Sequence, residues 1–382
     1  MVEKFSEKQA KKGNFKSQME FQKLSNIPID FLIIGGGIAG LSVVNRLVDL
    51  AETPVLIEAS DYPSHKICGE FLSPESLPYL EDWGIIPENK IKKTTFFTEN
   101  SIFDFTFPKE AASMSRYELD KKLCDRAKEN GATIITNMKV VALTAVVNSP
   151  TTLYEAKLSD GTTLYARNVF VGGGRFFNVS LNSLKPKMPY LGFKAHFSGI
   201  DSEETLEMHA VENGYLGISP IEKNVVNVAC LAKVTEKITN PEKFIEDFLN
   251  KKGAKLVNEK LKGGKMLFDK WLFTEAPEFE AKANPHLKNI YFIGDAAGGI
   301  APATGNGLGM AITSGYMAAD YAVSEDSLLF HKAWKKRYGP RIKRGQLLHQ
   351  VMMNKILTKV SFFICKHAPF IPKIIFTSTR ED

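Results

Sequence analysis

Three glycines at fixed spacing, Gly35-x-Gly37-x-x-Gly40, lie in the stretch DFLIIGGGIAGLSVVNRL (30–47), and their surroundings say what they are for. An apolar run rich in strand formers precedes them; after them Ile38, Leu41, Val44 and Leu47 recur at helical steps. At a strand–turn–helix of this kind Gly35 lets the chain leave the strand sharply and Gly37 has no Cβ to block a pyrophosphate. Gly40 lets the helix pack on the strand, and the helix start offers N–H groups and a positive dipole end to phosphates. A second apolar run, 54–57, stops at Glu58 and completes a parallel βαβ unit of about 30 residues. A carboxylate there can accept hydrogen bonds from both hydroxyls of an adenosine ribose. It also repels a 2′-phosphate, which favours NAD or FAD over NADP. The competing reading is a plain tight turn with a solvated charge at Glu58.

A second segment, YFIGDAAGGIAPATGNGLGMAI (291–312), chooses between the two dinucleotides. It reads as a strand ending at Gly294-Asp295, then small residues, Pro302, and a turn through Gly305, Asn306 and Gly307 that opens another helix. That gives a second place where backbone N–H groups can meet polar cofactor atoms, which a plain NAD dehydrogenase does not need. With both motifs in place the chain resembles, over most of residues 30–325, the FAD-dependent group that includes p-hydroxybenzoate hydroxylase and the geranylgeranyl reductases. The resemblance implies that Asp295 bonds the ribityl hydroxyls. It also implies that the Pro302–Gly307 turn faces the flavin N1–C2=O edge, and that Arg116, at the head of the helix in SRYELDKKL, touches the cofactor.

The loop KICGEFLSP (66–74) resembles the KxCGExLSP loop of the geranylgeranyl reductase-like branch, where it lies beside the flavin ring. This implies that Cys68 and Glu70 sit near the reactive face, where a thiol or carboxyl could supply the proton that accompanies a hydride; the alternative for Cys68 is packing in a tight Cys-Gly turn. Two departures stand out. VGGGRFF (171–177) puts Gly173 and Phe177 where the hydroxylases carry an acid and a serine. GYLGISP keeps Tyr215 and Pro220 of the reductases' Tyr-x-Trp-x-Phe-Pro segment, but has Gly217 and Ser219 in place of aromatics, so the pocket should differ in shape. Tyr215 is accordingly a candidate substrate contact. In GFKAHF, Lys194 and His196 share one strand face by the period of two and could bind an acidic or phenolic group; His65 is a weaker candidate.

These residues need a scaffold, and the pattern predicts one. Residues 91–108 read as strands. SRYELDKKLCDRAKENGA (115–132) reads as a helix capped by Ser115 with Glu118, and Asp160-Gly161 as a hairpin turn. Residues 186–235 read as further strands, 240–262 as a helix, and 307–322 as another. The fold class is α/β (α+β overall): a Rossmann-like FAD-binding domain, an inserted antiparallel β-sheet substrate domain, and C-terminal helices. The expected bounds are 1–27 for a polar leader; 28–90, 110–180 and 285–328 for the FAD domain; 91–109 and 181–284 for the substrate domain; and 329–382 for a basic helical tail.

The chain has 382 residues, 44% hydrophobic and 24% charged, as in an ordinary globular protein of about two domains. Its first 27 residues carry no apolar run, so a cytoplasmic protein is expected, with membrane association through the tail as an additional possibility. Four dispersed cysteines, without a CxxC pair, argue against a metal or disulfide framework. The net charge of +6 is uneven: residues 331–382 hold twelve Lys/Arg and two acids. Within 351–367, Met352, Ile356, Val360 and Phe363 recur on one helical face and Lys355, Lys359 and Lys366 on another. That apolar face must either cover the protein or touch a lipid surface; no nucleic-acid motif accompanies the charge.

The expected function is that of an FAD-dependent oxidoreductase, with NAD(P)H as transient donor, reducing a small unsaturated hydrophobic substrate of prenyl- or polyketide-like character. The alternatives are a monooxygenase acting on an aromatic or polyketide substrate and, in a different class, a non-redox prenyl-binding escort.

Overall fold

The computed structural model describes residues 27–146, 152–174, 188–282, 287–324 and 326–380. The expected leader therefore falls almost wholly outside the described residues, as do Arg175, Phe176 and Phe177. Strand β1 (Ile29–Ile34) leads through the glycine turn into α1 (Ile38–Asp49) and β2 (Val55–Ile57). β1 and β2 pair in parallel, Leu32 beside Val55 and Ile34 beside Ile57, as the βαβ reading requires.

The chain then departs through β3 (Phe71–Leu72), α2 (Leu77–Asp82), β4 (Asn89–Phe97) and β5 (Ile102–Ser113). It returns with α3 (Arg116–Glu129), β6 (Thr133–Ile135), β7 (Val140–Val146), β8 (Leu153–Leu158) and β9 (Thr163–Val171). The Ser115 hydroxyl accepts the Glu118 N–H at the start of α3, which is the expected cap. Asp160 accepts the Thr162 N–H in the turn between β8 and β9.

A second excursion comprises β10 (Tyr190–Ser198), β11 (Thr205–Val211), β12 (Gly214–Glu222), β13 (Val225–Lys233), α4 (Pro241–Leu249), α5 (Lys255–Gly263), β14 (Lys265–Met266) and β15 (Leu272–Ala276). The chain closes with β16 (Ile290–Phe292), α6 (Gly307–Val323), α7 (Ser327–Met353), α8 (Lys355–His367) and α9 (Phe370–Ser378).

Two sheets result. The first has the order β6-β2-β1-β9-β8-β7, with β16 beside β9, and is parallel except for the β7-β8-β9 meander. The second has the order β14-β10-β13-β12-β11-β4-β5-β3, with β15 beside β10. It is antiparallel except where β11 meets β4, the seam between the two excursions. β5 runs on to Ser113, past the expected bound at residue 109, and β3, within the 28–90 segment expected for the FAD domain, joins the edge of the second sheet. The single helix expected over 240–262 is two, because Gly253 adopts φ +90 and a Cβ there would lie 2.2 Å from the Ala210 carbonyl oxygen.

Helix α1 packs against α6 at close range. A Cβ on Gly315 would come within 2.5 Å of the Ala39 carbonyl oxygen, so this contact depends on a missing side chain. The C-terminal helices lie over the second sheet, where Phe362 contacts Phe96 and Phe103, and Phe376 stacks on Phe107. Among the described residues no single helix is long and apolar enough to cross a membrane; α8 and α9 meet such a criterion only together, across a 115° bend.

Candidate active site

The glycine turn is built as a cradle. Gly35 takes φ +95 and donates its N–H to the Ile57 carbonyl at 2.8 Å, which fixes the turn against the end of β2. A Cβ on Gly40 would lie 2.0 Å from the Gly35 carbonyl oxygen, whereas one on Gly37 would meet nothing within 4 Å. Gly40 therefore serves helix packing, and Gly37 leaves space on the ligand side. No side chain caps α1 and no acid occupies its first turn, so its leading N–H groups face the cavity without a competing anion. Glu58, buried at the end of β2, accepts the Gly36 N–H at 2.7 Å and the Ser60 N–H at 3.0 Å. These bonds aim the carboxylate along the wall where a ribose would lie. Gly36, which the motif leaves unassigned, has its own constraint: a Cβ there would sit 1.8 Å from the Tyr62 hydroxyl, which donates to the Gly36 carbonyl.

The distal motif closes the other side of the same cavity. Asp295 lies in a short turn after β16 and lines the cavity, as do Pro302, Gly305 and Gly307. Gly305 takes φ +62, a left-handed conformation that glycine adopts without steric cost. Asn306 departs from expectation. Its side chain is buried and accepts from Ser73 while its amide donates to the Thr379 carbonyl, so it braces the turn and is not among the cavity-lining residues. The residues fit FAD: an open glycine cradle with an oriented acid at one end, and an acid and a glycine-rich helix start at the other, border one continuous cavity.

Arg116 heads α3 and lines the cavity, with its guanidinium held bidentate by Asp120 at 2.6 and 2.7 Å. Burial alone would favour loss of its proton, but the Asp120 carboxylate, with smaller help from Cys68 and Glu70, holds its pKa above the usual value. A fixed cation thus stands beside the 66–74 loop.

Glu70 corrects an expectation. It takes φ +58 and its carboxylate turns fully inward, accepting the Arg116 backbone N–H at 2.8 Å and Lys194 Nζ at 2.6 Å on Oε1, and pairing with His196 Nε2 at 2.7 Å on Oε2. Burial pushes its pKa up, but His196 and Lys194 outweigh this and hold it below the usual carboxylate range. At neutral pH it is an ionised anchor and cannot act as the proton donor. Lys194 and His196 are corrected with it. They do share one face, but both are buried, neither lines the cavity, and the acid they bind is Glu70.

Cys68 does reach the cavity, half-buried. Its Sγ accepts the Glu70 N–H at 3.3 Å, and its carbonyl is held by Asn227 Nδ2 at 2.9 Å. His65 also borders the cavity, edge-on to His196 with ring centroids 5.1 Å apart; burial and the nearby His196 and Lys194 push its pKa down. Tyr215 lines the cavity and its hydroxyl accepts the Ala303 N–H at 3.1 Å, which ties the second sheet to the distal turn. Gly217, where the reductases carry an aromatic, also lines the cavity and leaves room there.

One residue escaped the sequence reading. Arg380, buried near the chain end, donates from Nη2 to the Thr304 carbonyl at 2.7 Å and lines the cavity. In the sequence it is one more cation of a basic tail, and no local signal separates it from the others.

The cavity, about 1020 Å³, runs from the cradle past Cys68 into an apolar chamber lined by Phe96, Phe103 and Phe105 of the second sheet and by Leu348, Met352 and Phe362 of the C-terminal helices. That is at the upper end of the roughly 300–1,000 Å³ of ordinary ligand sites, as suits a dinucleotide and a substrate held together.

No family model matches the chain. It is 27% identical to an uncharacterised protein of Methanosarcina barkeri over 338 residues (83% of this chain, 80% of the relative). It is 23% identical to the menaquinone reductase of Mycolicibacterium smegmatis over 347 residues (84% and 82%). It is 24% identical to the digeranylgeranylglycerophospholipid reductase of Sulfolobus acidocaldarius over 329 residues (79% and 70%). In fold it matches a flavoprotein/dehydrogenase from Cytophaga hutchinsonii, with TM-score 0.73, 17% identity and coverage of 91% and 92%. It likewise matches a geranylgeranyl bacteriochlorophyll reductase-like protein from Thermoplasma acidophilum, with TM-score 0.71, 17% identity and coverage of 90% and 98%. Fold, cradle and relatives together mark an FAD-dependent oxidoreductase. Among such enzymes it is similar to the reductases named above, the geranylgeranyl reductase-like protein included.

Proposed function

We propose that the protein reduces a carbon–carbon double bond in a long apolar molecule of isoprenoid character, such as a prenylated quinone or a prenyl-chain lipid, with NAD(P)H as a transient electron donor. The observation that carries this reading is the continuity of the cavity: the same space that borders the cradle passes Cys68 and ends in a chamber of aromatic and aliphatic side chains. Such a chamber favours a flexible hydrocarbon by burial alone and offers little to a polar substrate.

Bound FAD supplies the hydride in such a reduction. The chain's residues do the rest. The aromatic walls bind and align the apolar chain, and they exclude water from the reacting carbons. Cys68 donates the thiol proton from Sγ to the second carbon, so that one C–H bond forms from the hydride, one from the proton, and the double bond is lost. The resulting thiolate is stabilised by the Glu70 N–H on Sγ and by the Arg116 cation beside the loop. Glu70, pinned by Lys194 and His196, holds the loop in the conformation that presents Cys68.

The test is anaerobic turnover of the NADPH-reduced holoenzyme with a menaquinone and with a geranylgeranyl lipid, analysed by mass spectrometry. The expected product gains two hydrogens and needs no oxygen; a product that gains an oxygen atom, and only in air, overturns the reading in favour of a monooxygenase. Cys68→Ala should still accept electrons from the donor at the wild-type rate, yet reduce the alkene at least about 100-fold more slowly.

A further inference from the structure

The C-terminal helices present an unusual surface. On α8, Thr358 and Phe362 are buried against the protein, while Ile356 (73% exposed), Val360 (51%) and Phe363 (65%) point away from it. At 3.6 residues per turn these three project from the side of the helix opposite Thr358, and Lys355, Lys359 and Lys366 lie along one flank between the two faces. Helix α9 continues the pattern with Phe370 (61%), Ile374 (60%) and the exposed Lys373. The sequence reading allowed this apolar face to cover the protein; instead it faces outward, and only Met352, which belongs to α7, is buried.

We infer that α8 and α9 form a docking surface for an anionic lipid bilayer, lying in its interface with Ile356, Val360, Phe363, Phe370 and Ile374 inserted. Charge selects this occupant: residues 355–380 contain four lysines and one arginine and not a single Asp or Glu. Flanking lysines can lay their stems along the apolar face and leave their ammonium groups at the phosphates. Among the described residues neither helix is long and apolar enough to cross a bilayer by itself, and a 115° bend separates the two. The inner side of the same pair roofs the cavity: Phe362, Cys365, Pro372 and Phe376 line it. The docked surface and the apolar chamber are thus separated by the thickness of a helix, and a lipid-dissolved substrate enters without crossing water. Only this last step rests on the proposed reduction of an isoprenoid chain; docking itself does not.

The test is flotation of the full-chain holoenzyme with vesicles of phosphatidylcholine alone or mixed equally with phosphatidylglycerol. The protein should rise with the anionic vesicles and much less with the neutral ones. Each Lys→Gln change among Lys355, Lys359, Lys366 and Lys373 should weaken partition about fivefold. The triple variant V360S/F363S/I374S should stay at the bottom while keeping its FAD and its melting temperature, since the three side chains are exposed. If the wild type ignores anionic vesicles, or if it forms a dimer that the triple variant abolishes and that does not float, the proposal is wrong. Because flotation needs no turnover, protein that floats but reduces no alkene would overturn only the substrate reading.

Discussion

Lys194 Nζ stands 2.6 Å from Glu70 Oε1, and both side chains are fully shut off from solvent. Lys194 lies within β10 of the second sheet, and Glu70 lies in the loop that carries Cys68, so this ion pair ties the second sheet to that loop. Two charges out of water are expensive to keep; the cost is offset only because the remaining acceptor sites of Glu70 are filled by His196 and the Arg116 N–H.

Removing one partner should therefore do more harm than removing both. Lys194→Met strands a carboxylate and is expected to cost about 3–5 kcal/mol in urea unfolding of the holoenzyme. The double variant E70Q/K194M should recover a large part of that loss. A double variant no more stable than the single would mean that the charges are not energetically coupled.

The same pair makes stability depend on acid in a definite direction. Glu70 has a folded pKa below its unfolded value of about 4.3, so the native state binds its proton less readily than the unfolded chain does. Its contribution is fully present above that unfolded value and is lost as pH falls through the folded pKa. Glu207, buried beside His209 and Lys260, shifts the same way and contributes its own acid lability. The stability gap between wild type and Glu70→Gln isolates the first group. It should shrink below about pH 4; a gap that widens on acidification through that range contradicts the assignment.

The nucleotide cradle offers a steric test. In Gly36→Ala the new methyl would overlap the Tyr62 hydroxyl, 1.8 Å away, while its next neighbours, on Glu58 and Leu56, are at 3.1 Å. Loss of FAD affinity of at least tenfold, read by flavin fluorescence, is expected from displacement of the turn. Adding Tyr62→Phe removes the clashing oxygen and should restore part of it, although Tyr62→Phe alone loses the bond to the Gly36 carbonyl. Absence of any rescue would locate the damage elsewhere in the turn.

What the sequence disclosed follows from how local each signal is. The βαβ unit, the Ser115 cap and the Asp160-Gly161 turn are set by residues within a few positions of one another, and each was legible. The side-chain partners of Glu70 are 124 and 126 residues away, and no local pattern links them. Periodicity revealed that α8 has an apolar face but not which side meets the protein, because Thr358 and Phe362 offer the competing, weaker stripe that the fold buries. Gly253, at φ +90 and where a Cβ would run into the Ala210 carbonyl, falls where a single helix was expected, again a tertiary fact.

Arg380 shows the same limit at the site itself, and it yields the last prediction. Its Nη2 holds the Thr304 carbonyl, its Nη1 reaches Thr379 Oγ1 at 3.1 Å and the Phe376 carbonyl at 3.2 Å, and its guanidinium lies 3.6 Å from the centroid of the Phe376 ring. Burial draws its pKa down to about 10, with Glu75, 3.9 Å away, opposing the shift, so the group remains a cation at neutral pH. With the turn placed at the flavin N1–C2=O edge, as the resemblance implies, a cation beside it should favour the reduced flavin, which carries negative charge there. Arg380→Met is thus expected to make the flavin potential more negative as well as to loosen FAD. Arg380→Lys should restore the potential better than the affinity, since a point charge cannot replace the two-armed hold on Thr304 and Thr379. Lys373→Met, exposed on α9 ahead of Arg380, is the control and should change neither. An unchanged potential in Arg380→Met, with only looser FAD, would reduce Arg380 to a clamp on the turn and remove charge from its role.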